Sequence, residues 1–108
     1  MPTYLLTIET VRPVDNGTRI SPGIRLSQTA DRPAIRTMMQ GAPLELRSLD
    51  GARHRTMLVT YGVEVERGAD GALYMRGDPN DAEIKLTLPS DIPTSMRLAG
   101  TEVWLLAD

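Results

Sequence analysis

The stretch YLLTIETVRPVDNGTRISPGIRL, Tyr4 to Leu26, begins as an alternating strand, breaks at Asp15-Asn16-Gly17 and resumes as a second strand-like run. Asn-Gly accepts the positive φ angles that close a tight hairpin, so the stretch reads as two paired strands. Tyr4, Leu6 and Ile8 fall on one face, Thr7 and Glu9 on the other. Successive side chains of a strand point to opposite faces, which assigns the first set to a core and the second to water.

The same pattern recurs downstream. Leu44 and Leu46 alternate with Glu45 and Arg47. Met57, Val59, Tyr61, Val63 and Val65 alternate with Thr56, Leu58, Thr60, Gly62 and Glu64, where Gly62 marks a bulge or a bend. Ile84, Leu86 and Leu88 alternate with Glu83, Lys85 and Thr87, and Val103 and Leu105 with Glu102 and Trp104. Asp50-Gly51 lies between LELRSL and RHRTMLVTYGVEV and predicts a hairpin, as does Asp70-Gly71. Two stretches read less simply. DRPAIRTMMQG fits a turn or two of helix, with Asp31 as N-cap and Gly41 at its end, or a loop leading to a short strand over Ile35 to Met38. PSDIPTSMRLAG, with two Pro, reads as an ordered loop with a 3-10 turn.

Many short strands separated by turns predict an all-β fold, either a small closed barrel or a sandwich. A barrel also removes exposed strand edges, which keeps a small β protein a monomer or a weak homo-oligomer. At 108 residues the chain forms one domain, 1–108. There is no Phe and only one Trp and three Tyr, so the core rests on Leu, Val, Ile and six Met.

Composition removes several function classes. With no Cys there are no disulfides and no thiolate metal sites. The segment from Met1 to Leu6 does not read as a signal peptide, and no stretch has the length and apolarity of a membrane span, so a cytoplasmic location and no membrane partner are expected. The net charge of −2 is divided unevenly: residues 1–55 carry +3 and residues 56–108 carry −5. Eleven of the twelve basic residues are Arg, which pairs bidentately with carboxylate or phosphate, although a base composition favouring Arg codons is the plainer account of the excess.

The opening stretch also resembles the first hairpin of the second domain of translational GTPases of the elongation factor Tu type. Ile8, Glu9, Val11, Gly17, Thr18 and Gly23 fit that domain's pattern of Ile-Glu-x-Val, a Gly-containing turn, Gly-Thr and a strand ending near Gly. MMQGAPLELRSLDG, RTMLVTYGVEV with Gly62-Val63-Glu64, and AEIKLTLPSDIPTSMRLAGTEVWL resemble later segments of the domain in the same order. The resemblance implies a closed Greek-key β-barrel of six or seven strands. In the full factors this domain helps to hold the aminoacyl end of tRNA or touches ribosomal RNA. This chain has no Gly-x-x-x-x-Gly-Lys-Ser/Thr loop and so no phosphate cradle of its own. Arg12 stands where the family's pocket aromatic is found, Glu83 where an Asn is expected, and Lys85 at a small Gly position, while Glu64 matches a pocket acid.

Catalytic constellations are missing from the sequence. His54 is the only histidine, and it reads as an exposed strand residue between Arg53 and Arg55. A zinc site needs several His or Cys ligands. No Ser lies in a nucleophile-elbow pattern. GDPNDAE lacks the Gly and the distant Glu of a calcium loop, and Arg76-Gly77-Asp78 and Asn16-Gly17-Thr18 read as chance matches to adhesion and glycosylation motifs. Glu64 and Glu66 share a strand face, which permits an acid–base pair but fits a solvated face as well.

The reading is therefore a non-enzymatic binding module with no cofactor and no metal. Its docking residues are sought among Glu9, Arg12, Arg19, Arg47, Arg53, Arg55, Glu64 and Trp104, on an Arg12/Arg19/Arg47/Arg53 side or a Trp104 patch. A protein is the expected partner. RNA is the other reading, through the Arg-rich hairpin about Asp50-Gly51, against which the lack of stacking aromatics there counts. An immunity-type inhibitor using the acidic C-terminal half is a different class of function, and a carboxylate-based enzyme built on Glu64 and Glu66 is a third.

Overall fold

The computed structural model describes residues 2–29, 32–63, 65–75 and 81–106. Ten strands account for most of them: β1 (Thr3–Thr7), β2 (Thr10–Val14), β3 (Gly17–Arg25), β4 (Pro43–Arg47), β5 (Arg53–Met57), β6 (Thr60–Val63), β7 (Val65–Arg67), β8 (Leu73–Met75), β9 (Glu83–Leu88) and β10 (Glu102–Leu105). A single helical turn, α1 (Pro33–Arg36), follows a 3-10 turn at Leu26–Thr29, and a second 3-10 turn spans Thr94–Met96. No helix among the described residues is long and apolar enough to cross a membrane.

The strands form two four-stranded sheets, ordered β1-β10-β4-β5 and β2-β3-β9-β6, and a separate β7-β8 ribbon. Every pairing is antiparallel. The hairpins at Asn16-Gly17, Asp50-Gly51 and Asp70-Gly71 all form, but only the glycine of each dipeptide takes a positive φ, and the first turn is Asp15-Asn16, with Gly17 already paired with Val14. Gly17 is the most constrained of these turn glycines. Its φ is +153°, and a Cβ there would lie 2.1 Å from the Leu88 carbonyl oxygen.

The ladder expected of a closed barrel is not found. Instead, the edges of the two sheets are joined by continuous chain at two corners. At the first, the Ile8 N–H donates to the Thr101 carbonyl at 2.8 Å beside β10, and the next N–H, of Glu9, donates to Ser21 of β3 at 2.7 Å. At the second, the Leu58 N–H donates to Ala42 beside β4 and the Val59 N–H to Thr87 of β9, each at 2.9 Å. One residue at each corner thus bonds toward one sheet and its neighbour toward the other. This satisfies the backbone donors while the chain changes sheets. Ile8 and Leu58 are fully enclosed at these bends.

The second corner and an irregularity in β1 correct three expectations. The run from Met57 to Val65 is not one strand with one inward set. The bend at Leu58-Val59 reverses the alternation, so Leu58 is buried and Met57 exposed, while Tyr61 and Val63 lie opposite Leu86 and Ile84 on the expected face, Tyr61 still 42% exposed. The bend is there and not at Gly62, which simply pairs with Lys85. In β1 the register shifts between Tyr4 and Leu6, so Leu5 and Leu6 are both buried and Tyr4 turns outward. Elsewhere the inward set of Leu44, Leu46, Leu86, Leu88, Val103 and Leu105 fills the core as expected, but Glu45 and Thr87, expected to face water, are buried as well.

Methionine contributes less than composition implied. Met38 and Met96 are buried, but Met39 and Met57 are exposed. In the stretch with two readings, the helical one forms, as the single turn α1. The N-cap reading for Asp31, the Arg-Gly-Asp tripeptide 76–78, residues 77–80 of the calcium-like run 77–83 and the Glu64 carboxylate lie outside the described residues.

Candidate functional site

The outer face of the β1-β10-β4-β5 sheet is built from two rows of side chains. Strand register sets Tyr4, Trp104, Glu45 and Arg55 side by side in one row. Thr7, Glu102, Arg47 and Arg53 form the next. Residues directly opposite on neighbouring antiparallel strands are near enough to interact, so each row is a continuous strip.

Trp104 is the centre of this surface. The Tyr4 ring meets it edge-on with centroids 5.5 Å apart, and its Nε1–H donates to Glu102 Oε1 at 3.1 Å. The Arg47 guanidinium lies over the indole, 4.2 Å from the ring centroid, where the electron-rich face attracts the cation. Arg47 Nε–H also donates to Glu45 Oε1 at 2.7 Å. Arg53 reaches the same oxygen at 3.7 Å. Glu45 is only 6% exposed although it points outward, because the neighbouring side chains cover it. The hydrogen bond from Arg47, then the charges of Arg47, Arg53 and Arg55, hold its carboxyl below the usual glutamate range against the opposing effect of burial.

This surface unites four of the residues singled out in the sequence: Arg47, Arg53, Arg55 and Trp104. It does not include the others. Arg12 and Arg19 face each other across β2 and β3 on the second sheet, so the Arg12/Arg19/Arg47/Arg53 side does not form on one sheet. Arg19 donates from Nε to Thr87 Oγ1 at 3.4 Å. Glu9 is exposed at the first corner, held by its backbone bond to Ser21. Glu64, and with it the proposed pairing of Glu64 and Glu66, lies outside the described residues. His54 is half-buried and not exposed, because it pairs with Leu46 on the inward-facing side of β5.

Glu83 and Lys85, the two β9 positions that depart from the expected Asn and Gly, meet on the second sheet. Lys85 Nζ is 2.8 Å from Glu83 Oε1 and donates to Ser21 Oγ at 3.0 Å. Glu83 also accepts the Gly23 N–H at 3.0 Å. The hydrogen bond from Lys85, followed by that from Gly23, lowers the pKa of the Glu83 carboxyl.

Glu45, Tyr4, Glu102 and Met57 belong to the Trp104 surface and were not singled out from the sequence. Glu45 was within reach: a hairpin closed at Asp50-Gly51 places Arg47 opposite Arg53 and therefore Glu45 opposite Arg55. Glu102 was within reach too, since the alternation puts it on the same face as Trp104, but Tyr4 had no such signal, because the first and last strands meet only in the folded sheet. Among the described residues, no group of three or more His, Asp or Glu is placed to hold a metal ion.

No protein-family model, no curated protein and no solved structure matches this chain.

Proposed function

We propose that this chain is a non-enzymatic binding module that docks a protein through the outer face of the β1-β10-β4-β5 sheet. The observation that carries the proposal is the Arg47–Trp104 stack, set between Tyr4 and the Glu45 carboxylate. Trp, Tyr, Arg and Met are the residues enriched in protein interfaces, and Met57 is exposed at the margin of this face. The rings and the guanidinium hold one another in place, so little side-chain freedom remains to be lost on binding.

Charge balance favours a protein over RNA. Arg47, Arg53 and Arg55 are matched by Glu45, Glu102 and the turn residue Asp50, so the face has no net positive charge to draw a polyphosphate. Two of the three Arg are already engaged by Glu45.

The scaffold is read as a flattened relative of the translation-factor second-domain barrel. Support comes from the order of the four sequence motifs, and from the two bent-strand corners that join the sheets at both edges.

Site-specific photo-crosslinking in the native cell tests the docking face. A photoreactive phenylalanine at Met57 is expected to give one discrete protein adduct, resistant to nuclease and lost when Trp104→Ala is added. The same probe at Arg25, exposed on the second sheet, is expected to give none. No adduct at Met57, a nuclease-sensitive adduct, or equal adducts at both positions would overturn the proposal.

A further inference from the structure

A second site lies between α1 and the β2-β3-β9-β6 sheet, away from the proposed docking face. A cavity of about 220 Å³ is floored by Ile24 of β3 and Ile84 of β9, which are register partners, and walled by Ile35 and Met38. Close-packed interiors leave few voids larger than a water molecule, so an apolar opening of this size is not ordinary packing slack.

Leu26 and Thr29 complete the wall, the Thr29 hydroxyl donating to the Leu26 carbonyl at 2.7 Å, and two further polar side chains line the opening. They are Arg36, the last residue of α1, and Tyr61 of β6, which is 42% exposed. Among the described residues, no hydrogen bond or ion pair engages the Arg36 guanidinium or the Tyr61 hydroxyl. An apolar pocket with a few convergent polar groups is the usual form of a small-ligand site, with the polar groups setting orientation. Here both polar groups can donate a hydrogen bond, and one is a permanent cation.

We infer that this cavity binds a small carboxylate with a single apolar tail, the tail among Ile24, Ile35, Met38 and Ile84 and the carboxylate on Arg36 and Tyr61. An apolar cavity of roughly 150 Å³ accepts benzene, so this volume suits a tail of about seven or eight carbons. The planar guanidinium matches a carboxylate better than it matches a hydroxyl, which makes the acid, rather than the alcohol of the same length, the favoured ligand. The site is independent of the docking proposal, since none of its residues lies on the Trp104 face.

The six isoleucines provide the readout. Ile24, Ile35 and Ile84 line the cavity, while Ile8, Ile20 and Ile92 belong to the rest of the core. Octanoate is titrated into the full chain carrying labelled isoleucine methyls and followed by NMR. The expected result is a saturable shift of the Ile24, Ile35 and Ile84 signals with the other three unmoved. Octanol in place of octanoate, and Arg36→Ala with octanoate, are each expected to weaken binding by about tenfold or more, the loss of a charge-assisted hydrogen bond. The octanol arm requires no variant, so it stands even if Arg36→Ala unfolds. No saturable shift, shifts spread over all six signals, or octanol binding as tightly as octanoate would overturn the inference.

Discussion

Arg47 stacks on Trp104 at 4.2 Å while its Nε–H holds Glu45 at 2.7 Å. One guanidinium therefore serves two neighbours on two different strands, β10 and β4. The arrangement joins the C-terminal strand to the Asp50-Gly51 hairpin through side chains as well as through the backbone ladder. It also gives the two Arg residues of the row pair different weights, because Arg53 is 64% exposed at its side chain and reaches Glu45 only at 3.7 Å.

Arg47→Ala is expected to cost about 2 kcal/mol, combining the lost cation–π contact with a shielded carboxylate left short of its closest partner. Arg53→Ala is expected to cost well under about 1 kcal/mol, as for most exposed ion pairs. Urea unfolding of the two variants separates these values. Equal losses would show that the stack contributes nothing beyond the ion pair.

Stability is expected to fall in acid. Glu45, Asp50, Asp70, Asp81 and Glu83 all have carboxyl pKa values below their ordinary range. The causes begin with Arg47 for Glu45, the Ser48 hydroxyl for Asp50, the Tyr74 hydroxyl for Asp70, the Ser27 N–H for Asp81 and Lys85 for Glu83. A carboxyl whose pKa is depressed on folding binds its proton more readily in the unfolded chain. The stabilisation is therefore complete above the unfolded-state pKa and lost as pH falls through the folded one. Urea midpoints compared at neutral pH and about pH 3 measure the loss. Glu45→Gln is expected to lower the neutral midpoint and to narrow the gap between the two conditions.

Gly17→Ala is expected to destabilise by about 3 kcal/mol or more, since the new methyl would drive against the Leu88 carbonyl and force β3 and β9 apart. Gly51 provides the control. Its φ is +89°, but nothing lies within 4 Å of a Cβ there, so Gly51→Ala carries only the backbone cost of about 1 kcal/mol. Thermal unfolding of the pair checks the contrast.

Leu58→Ala and Met57→Ala test the second corner. Leu58 is fully buried where the chain passes between sheets, so truncation is expected to cost about 3 kcal/mol. Met57 is 54% exposed, and its truncation is expected to cost well under about 1 kcal/mol. The reverse order would restore the uninterrupted alternation in which Met57 faces inward.

The local chemistry of this protein is written in its sequence. Asn16-Gly17, Asp50-Gly51 and Asp70-Gly71 mark three hairpins, because the glycine of each takes a positive φ that other residues rarely adopt. Leu44 with Leu46, and Val103 with Leu105, identify their inward faces by period alone. Even the placing of Glu45 among Arg47, Arg53 and Arg55 follows once the hairpin closes. Tertiary structure decided what the pattern could not carry across a bend. Period-2 alternation is a statement about straight strands. At Ile8-Glu9 and Leu58-Val59 the chain exchanges one hydrogen-bonding sheet for another, and the inward face changes with it. The pairing of β1 with β10 likewise joins residues about a hundred positions apart. It brings Tyr4 against Trp104 by hydrogen bonding between distant segments, a relation that no local spacing in the chain records.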